Sequence, residues 1–315
     1  MTHAIETTAL RRKFWRKEAV KGVDLAVPSG SIYAFLGPNG AGKTTTIKML
    51  MNLLRPSSGE AHILGTPSHR LRARHFESIG YVSENQELPE WMTVERFLKY
   101  LKPFYPTWDD DFCAQLLDRF QLPLDRKLKH LSRGMKVKAS LVSSLVYHPQ
   151  LLVLDEPFTG LDPLVRDQLV EGVLELVDQG DWTVFISSHD LQEVENIASH
   201  VGFLSDGQLL LSESQEELKG RFQEIEVVLE EPQLWPVDAP ASWHRAQVSG
   251  EDRAQRVFRF TATNPKELED NHLLRSLFPG LVDSSQSSMS LRSIFVTLAE
   301  NPRIGLPSQA PEGHR

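Results

Sequence analysis

Cysteine is almost absent. Cys113 is the single one in 315 residues, which excludes an intramolecular disulfide and a cysteine-based zinc site and fits a reducing compartment. Long apolar runs are missing as well. No uncharged stretch approaches the roughly 20 residues that cross a bilayer, and Met1 to Lys17 carries charges but no apolar core of a secretory signal. The chain is therefore expected to be made and kept soluble, so a membrane role would need a partner that supplies the spanning helices. Positive charge is in deficit, with 34 Lys and Arg against 42 Asp and Glu and a formal net charge of −8. Duplex binding rests on basic surface, so no nucleic acid is expected as the main partner. There is no internal repeat and no sustained heptad.

What is present is concentrated. Residues 37 to 44 read Gly-Pro-Asn-Gly-Ala-Gly-Lys-Thr, a complete phosphate-cradling loop. Backbone N–H groups converge on anionic oxygens only where no Cβ intrudes, hence Gly37, Gly40 and Gly42. Lys43 is placed to reach the β- and γ-phosphates of a nucleotide and the Thr44 hydroxyl to ligate Mg²⁺. The apolar run from Ser31 to Leu36 suits a buried strand. Thr45 to Leu54 is apolar at helical spacing through Ile47, Leu50, Met51 and Leu54. The phosphates would then sit at a helix N-terminus, where free N–H groups and the helix dipole favour negative charge.

At this length about two domains are expected. Residues 1–220 alternate strand-like and helix-like segments, which predicts an α/β layer architecture, with about 86–148 mostly helical. There Thr93 caps Val94 to Leu101, Pro103 and Pro106 stop that helix, and Asp109-Asp110-Asp111 opens the next. After Gly220 the texture changes. Arg256 to Phe260 alternates at period two, and Pro265 to Phe278 and Ser290 to Glu300 are helix-like. We read a small α+β domain over 222–302. Residues 303–315, rich in Pro, Gly and polar side chains, read as a disordered tail.

A second run of chemistry begins at Leu151. Leu151-Leu152-Val153-Leu154 suits a central strand buried on both faces, and Asp155-Glu156 ends it. Carboxylates there must face a site, because burying them unpaired costs several kcal/mol, of order 2–7 even for neutral polar groups. We assign Asp155 to Mg²⁺ through its water shell and Glu156 to the base that polarises the attacking water. Thr183 to Ser187 is another buried strand. Asp190 and Glu193 fit a capping box for a following helix, which leaves His189 at the strand's C-terminal end as a γ-phosphate sensor, on the side where open α/β sheets bind ligands. Leu131-Ser132-Arg133-Gly134-Met135 precedes a helix-like stretch, Lys136 to Tyr147. It reads either as a second anion seat or as an ordinary Ser cap.

In this order the motifs resemble the ATP-binding subunits of ABC transporters, over residues 4 to about 220. Gly37, Pro38, Asn39, Gly40, Ala41, Gly42, Lys43, Thr44 and Thr45 match the family's phosphate loop. Leu131 to Met135 match its signature segment and Leu151 to Glu156 its second carboxylate motif. Gly160-Leu161-Asp162 match the loop that crosses to a partner subunit, and His189 matches the switch histidine. Phe14 stands where the family stacks an aromatic ring on adenine, or else is a buried strand residue. The resemblance implies a P-loop NTPase core with a helical subdomain and two head-to-tail copies, a homodimer. Each ATP would lie between one copy's phosphate loop and the other's Ser132 and Gly134. Hydrolysis would loosen the pair, which a separate permease would couple to transport at the cytoplasmic face of the membrane. Ser290 to Val296 resembles the end of the appendage on exporter-type subunits, which makes export the expected direction.

Two departures stand out. Arg133 and Met135 partly replace the usual Gly and Gln of the signature. Glu84 sits where the family segment ends in Gln, with Gln86 two residues on. A carboxylate at Glu84 can still ligate Mg²⁺, and either residue could take that role. Trp91 and Met92 are each either permease contacts or core. Two other readings stay open at this point: a soluble ATPase of the same fold that regulates translation or DNA maintenance, and a regulator-binding role centred on the appendage.

Overall fold

The computed structural model describes residues 2–84, 86–178, 182–245, 255–264 and 271–300. The tail expected at 303–315, and the first part of the helix expected from Pro265, lie outside the described residues. The chain divides into two compact units, Met1–Ser212 and Glu213–Arg315.

Among the described residues, the strands of the first unit are β1 His3–Phe14, β2 Lys17–Pro28, β3 Ile32–Leu36, β4 Ser58–Ile63, β5 Thr66–Pro67, β6 Ile79–Ser83, β7 Leu151–Asp155, β8 Thr183–Ser188, β9 His200–Ser205 and β10 Gln208–Ser214. Its helices are α1 Lys43–Leu50, α2 Val94–Leu101, α3 Asp110–Arg119, α4 Arg133–Leu145 and α5 Pro163–Asp178. One sheet runs β10-β9-β3-β8-β7-β6 and a smaller one β2-β1-β4-β5. β3, β7 and β8 are buried along their whole length, as strands covered on both faces require. The pairs β3–β8, β3–β9, β7–β8 and β6–β7 are parallel.

The register matters most for function. Leu36 pairs with Ser188, Ser187 with Asp155, and Asp155 with Ser83. Four strand ends therefore finish level, at the C-terminal edge where such sheets bind ligands. The antiparallel sheet adds Ile5, Leu10, Val23, Leu25 and Ile63 to the core that holds Ile47, Leu50, Phe35 and Phe185.

The middle of this unit is helical, and its starts follow from local chemistry. The Thr93 hydroxyl accepts the Arg96 N–H at 3.3 Å, and Asp109 Oδ1 accepts that of Phe112 at 2.9 Å. Pro103 falls in a short 3-10 turn, Lys102–Phe104, just past α2. α1 is shorter than its apolar spacing predicts. It stops at Leu50, and Asn52 adopts a left-handed φ of 57° that breaks the hydrogen-bond ladder. The capping box expected at Asp190 and Glu193 is not formed. Only a 3-10 turn, Leu191–Glu193, follows, because the Glu193 carboxylate instead accepts the Ser188 hydroxyl at 2.5 Å.

The second unit carries α6 Gln215–Arg221, β11 Gln223–Gln233, β12 Trp243–Arg245, β13 Gln255–Ala262, α7 Asn271–Leu277, β14 Leu281–Ser288 and α8 Leu291–Glu300. Its sheet runs β12-β13-β11-β14 with antiparallel pairs throughout. Ile225, Val227, Trp243, Phe258, Phe260 and Phe278 form a core of its own.

Candidate active site

The loop after β3 presses against its neighbours so closely that side chains cannot fit. A Cβ on Gly37 would lie 2.1 Å from the Leu204 carbonyl oxygen, and one on Gly42 2.5 Å from that of Ala19. Gly42 caps α1 at φ 112° with no side-chain hydrogen bond. The N–H groups of the first turn, from Lys43 to Thr45, consequently have no intrahelical partner and face the cleft as an anion seat. Lys43 Nζ donates to the Gly37 carbonyl at 2.6 Å and the Pro38 carbonyl at 3.3 Å, and pairs with Glu156 Oε1 at 3.0 Å.

Asp155 and Glu156 end β7. Asp155 Oδ1 accepts the Ser187 hydroxyl at 2.8 Å and the Thr44 hydroxyl at 3.1 Å. Ser187 Oγ in turn accepts the Glu156 N–H at 3.0 Å, so one buried hydroxyl ties both carboxylate residues together. Glu156 sits at φ 51°, a left-handed conformation that costs a non-glycine residue of order 1–3 kcal/mol and gathers at functional sites. Its Oε2 accepts the Thr159 hydroxyl at 3.0 Å and meets His189 Nδ1 at 2.7 Å.

These surroundings push the two acids apart. Burial raises Asp155 above the ordinary aspartate range, against smaller lowering by Ser187 and Thr44. Burial also pushes Glu156 up, but hydrogen bonds from His189, Lys43 and Thr159 and the charge of Lys43 outweigh it and leave that carboxyl low.

A cleft of about 560 Å³ opens over this cluster, lined by Phe14, Lys43, Thr44, Glu84, Glu156 and His189 among others. Asn39, Gly40, Gly42 and Thr45 also line it, whereas Ala41 is buried. Phe14 is 39% exposed rather than buried in its strand. Of the two candidates after β6, Glu84 lines the cleft. Gln86 bonds back to Ser83 and borders a separate groove. A larger cleft of about 870 Å³, beside Arg55, His62 and Arg70, contains none of the lysine–carboxylate chemistry.

Ser132, Gly134 and Asp162 are not among the residues lining the cleft. Ser132 Oγ accepts the Met135 N–H at 3.2 Å, capping α4. Gly134 is buried, and a Cβ there would lie 2.9 Å from Val165. Asp162 accepts the Val165 N–H at 3.0 Å. Arg133, beside the cap, pairs with Glu84 at 3.2 Å. Met92 packs in the core, and Trp91 is 69% exposed.

Sequence reasoning missed Ser187 and Thr159. For Ser187 the signal was available: a hydroxyl inside an apolar strand must find partners, and the adjacent strand ends in two carboxylates.

The arrangement can seat a polyphosphate on backbone N–H groups and Lys43. It offers two hard oxygens, from Thr44 and Asp155, to a cation that keeps several of its own waters. The site also presents a carboxylate to water. That donor set fits Mg²⁺, which takes its remaining ligands from water and substrate phosphates.

A family model described as ABC transporter matches residues 20–159. The chain is 37% identical over 234 residues to the uncharacterised ABC transporter ATP-binding protein YcbN of Bacillus subtilis, covering 72% of this chain and 75% of that one. It is 37% identical over 224 residues to the daunorubicin/doxorubicin resistance ATP-binding protein DrrA of Streptomyces peucetius, covering 69% and 67%. Across the first relatives the match spans 64% to 75% of their length. A solved structure titled as the ATP-binding subunit of an ABC transporter superposes with a TM-score of 0.63 at 28% identity, covering 70% of this chain and 92% of that one. Among the described residues, no helix is long and apolar enough to cross a membrane.

Proposed function

This chain belongs to the ATP-binding proteins of ABC transporters, and from that premise we propose an exporter subunit. Two copies close head to tail on two ATP molecules, and a separate permease carries the membrane helices. ATP binding and hydrolysis for a transporter come with the family. Export, a homodimer closed head to tail, a separate permease, the residue roles below and a peripheral place on the cytoplasmic membrane face are our reading. The resistance protein DrrA supports export.

The geometry supports the following roles. Phe14 stacks on the base. Residues Gly37 to Thr45 seat the phosphates. Lys43, which pairs with Glu156 here, turns to the β- and γ-phosphates. Thr44 would hold Mg²⁺, Asp155 would act through the ion's waters, and Glu84, just after β6, would supply a further oxygen. When bound, that ion neutralises phosphate charge. Glu156 accepts the proton of the water that attacks the γ-phosphorus as the bond to the ADP oxygen breaks. His189, already 2.7 Å from Glu156, reads whether the γ-phosphate is present. Ser132, Gly134 and Asp162 serve the partner copy's nucleotide, which accords with their absence from the lining of their own cleft. Closure and release then form a two-state element biased by a ligand that differs in affinity for the states.

A groove bordered by Tyr81, Leu88, Pro89, Phe97 and Tyr105 suits a cytoplasmic loop of the permease. The soluble-regulator reading finds no support in this family assignment.

The observation that carries this reading is the Lys43–Glu156–His189 cluster at level strand ends beside an uncapped helix start. Glu156→Gln is expected to keep ATP binding, to lower hydrolysis by at least about a hundredfold, and to trap a closed dimer seen by gel filtration with ATP. Near-normal hydrolysis by that variant would remove Glu156 from the base role.

A further inference from the structure

Arg133 and Glu84, one residue from each of the two departures from the family pattern, meet in space: Arg133 Nη2 lies 3.2 Å from Glu84 Oε1. They are 49 residues apart in sequence, one after β6 and the other at the start of α4. The guanidinium is also close to the loop after β7. Gly160 has φ 70°, and a Cβ on it would fall 2.9 Å from Arg133 Nη1. The positive φ favours a residue without a side chain there. A planar fork can touch Glu84 while lying against Gly160, which a lysine ammonium cannot do.

Glu84 lines the same cleft as Lys43 and Thr44. The charges facing that cleft are Lys17, Lys43, Glu84 and Glu156, with Asp155 just behind Thr44. Lys43 is shared with Glu156. A triphosphate entering this cleft brings several negative charges toward a carboxylate that lies there. From this geometry we infer that Arg133 is a positioning residue for nucleotide binding. It neutralises Glu84 within the same chain, so that the triphosphate enters without like-charge repulsion. This inference rests on the ATP reading of the cleft and goes beyond it.

A partly exposed ion pair contributes little to fold stability. Its removal should therefore show in nucleotide affinity and leave the melting temperature within about 2 °C. One uncompensated charge at several ångströms in a partly solvated cleft is worth about tenfold in binding.

The test measures ATP binding by the full chain in EDTA at low salt, by calorimetry, so that no metal ion enters. Arg133→Ala is expected to weaken ATP about tenfold. The double variant Glu84→Gln/Arg133→Ala should return to within about twofold of Glu84→Gln alone, because with no charge at that position there is nothing to neutralise. The loss should be smaller with AMP, and it should shrink in 0.5 M salt. Arg133→Lys should recover part of it.

Equal weakening by Arg133→Ala in the wild-type and Glu84→Gln backgrounds overturns the inference, since Arg133 would then act independently of Glu84, as a contact to a partner copy's nucleotide would. Unchanged ATP affinity in Arg133→Ala overturns it too. Failure of the wild-type chain to bind ATP instead removes the ATP reading beneath it.

Discussion

At the scale of single residues, the site holds two adjacent acids in opposite electrostatic circumstances. Asp155 is buried with only two hydroxyl donors, so its ionised form is disfavoured in the folded chain. A carboxyl raised above its unfolded value gives stability that is present below that value and lost as pH rises toward the folded one. The nucleotide-free, metal-free protein should therefore lose stability from this group as pH climbs above the ordinary aspartate range. Asp155→Asn keeps an oxygen for Ser187 and Thr44 and removes the charge. It is expected to melt higher than the wild type at pH 7 and to lose the stabilising response to Mg²⁺ with ATP. Thermal melts from pH 4 to 8 in EDTA check this, and a lower melting point for Asp155→Asn at pH 7 would contradict it. Glu156 behaves in the opposite sense. Depressed by His189, Lys43 and Thr159 against the pull of burial, it stabilises above its ordinary value, and that contribution is lost as pH falls through the folded one. It is therefore already ionised at neutral pH, as a base must be.

Secondary-structure elements show which features local chemistry can announce. Thr93 and Asp109 cap α2 and α3 because a short polar side chain before an apolar helical run has one good use, accepting a first-turn N–H. Strands β3, β7 and β8 were legible for a similar reason: short apolar runs of three to five residues, followed by Gly37, Asp155-Glu156 and Ser187 to His189, announce both burial and what lies at the end. The side-chain partner of Glu193 was not legible. Ser188 competes for that carboxylate, and the competition depends on where β8 stops. The level finish of Leu36, Ser83, Asp155 and Ser188 is a product of long-range parallel pairing, which no local pattern encodes. The Arg133–Glu84 contact is of the same kind. Thr93→Ala should cost about 1 kcal/mol in urea unfolding without altering ATP affinity, since Thr93 is not among the residues lining the cleft. A large fall in ATP affinity would instead tie α2 to the nucleotide.

For the whole molecule, the division into Met1–Ser212 and Glu213–Arg315 sorts chemistry from the remainder. Every residue lining the cleft belongs to the first unit, from Phe14 to His189. The sheet that levels the strand ends is also complete by β10. The described residues of the second unit bury an aromatic core of their own, with Trp243 stacked on Phe260 at 4.6 Å and Phe258 tilted against Phe278 at 5.4 Å. A core of that kind is enough for its own cooperative unfolding. We therefore propose that the second unit serves a role other than ATP chemistry. A chain ending at Ser214, the end of β10, is expected to bind ATP within about twofold of the full chain, the spread that context alone puts on such differences. Phe258→Ala in the full chain should cost about 3–5 kcal/mol in the unfolding of the second unit, while the ATP-dependent rise in melting temperature of the first is retained. Calorimetry with and without ATP separates the two. If the truncated chain melts cooperatively but no longer binds ATP, the C-terminal unit belongs to the nucleotide machinery and the division of labour argued here is wrong.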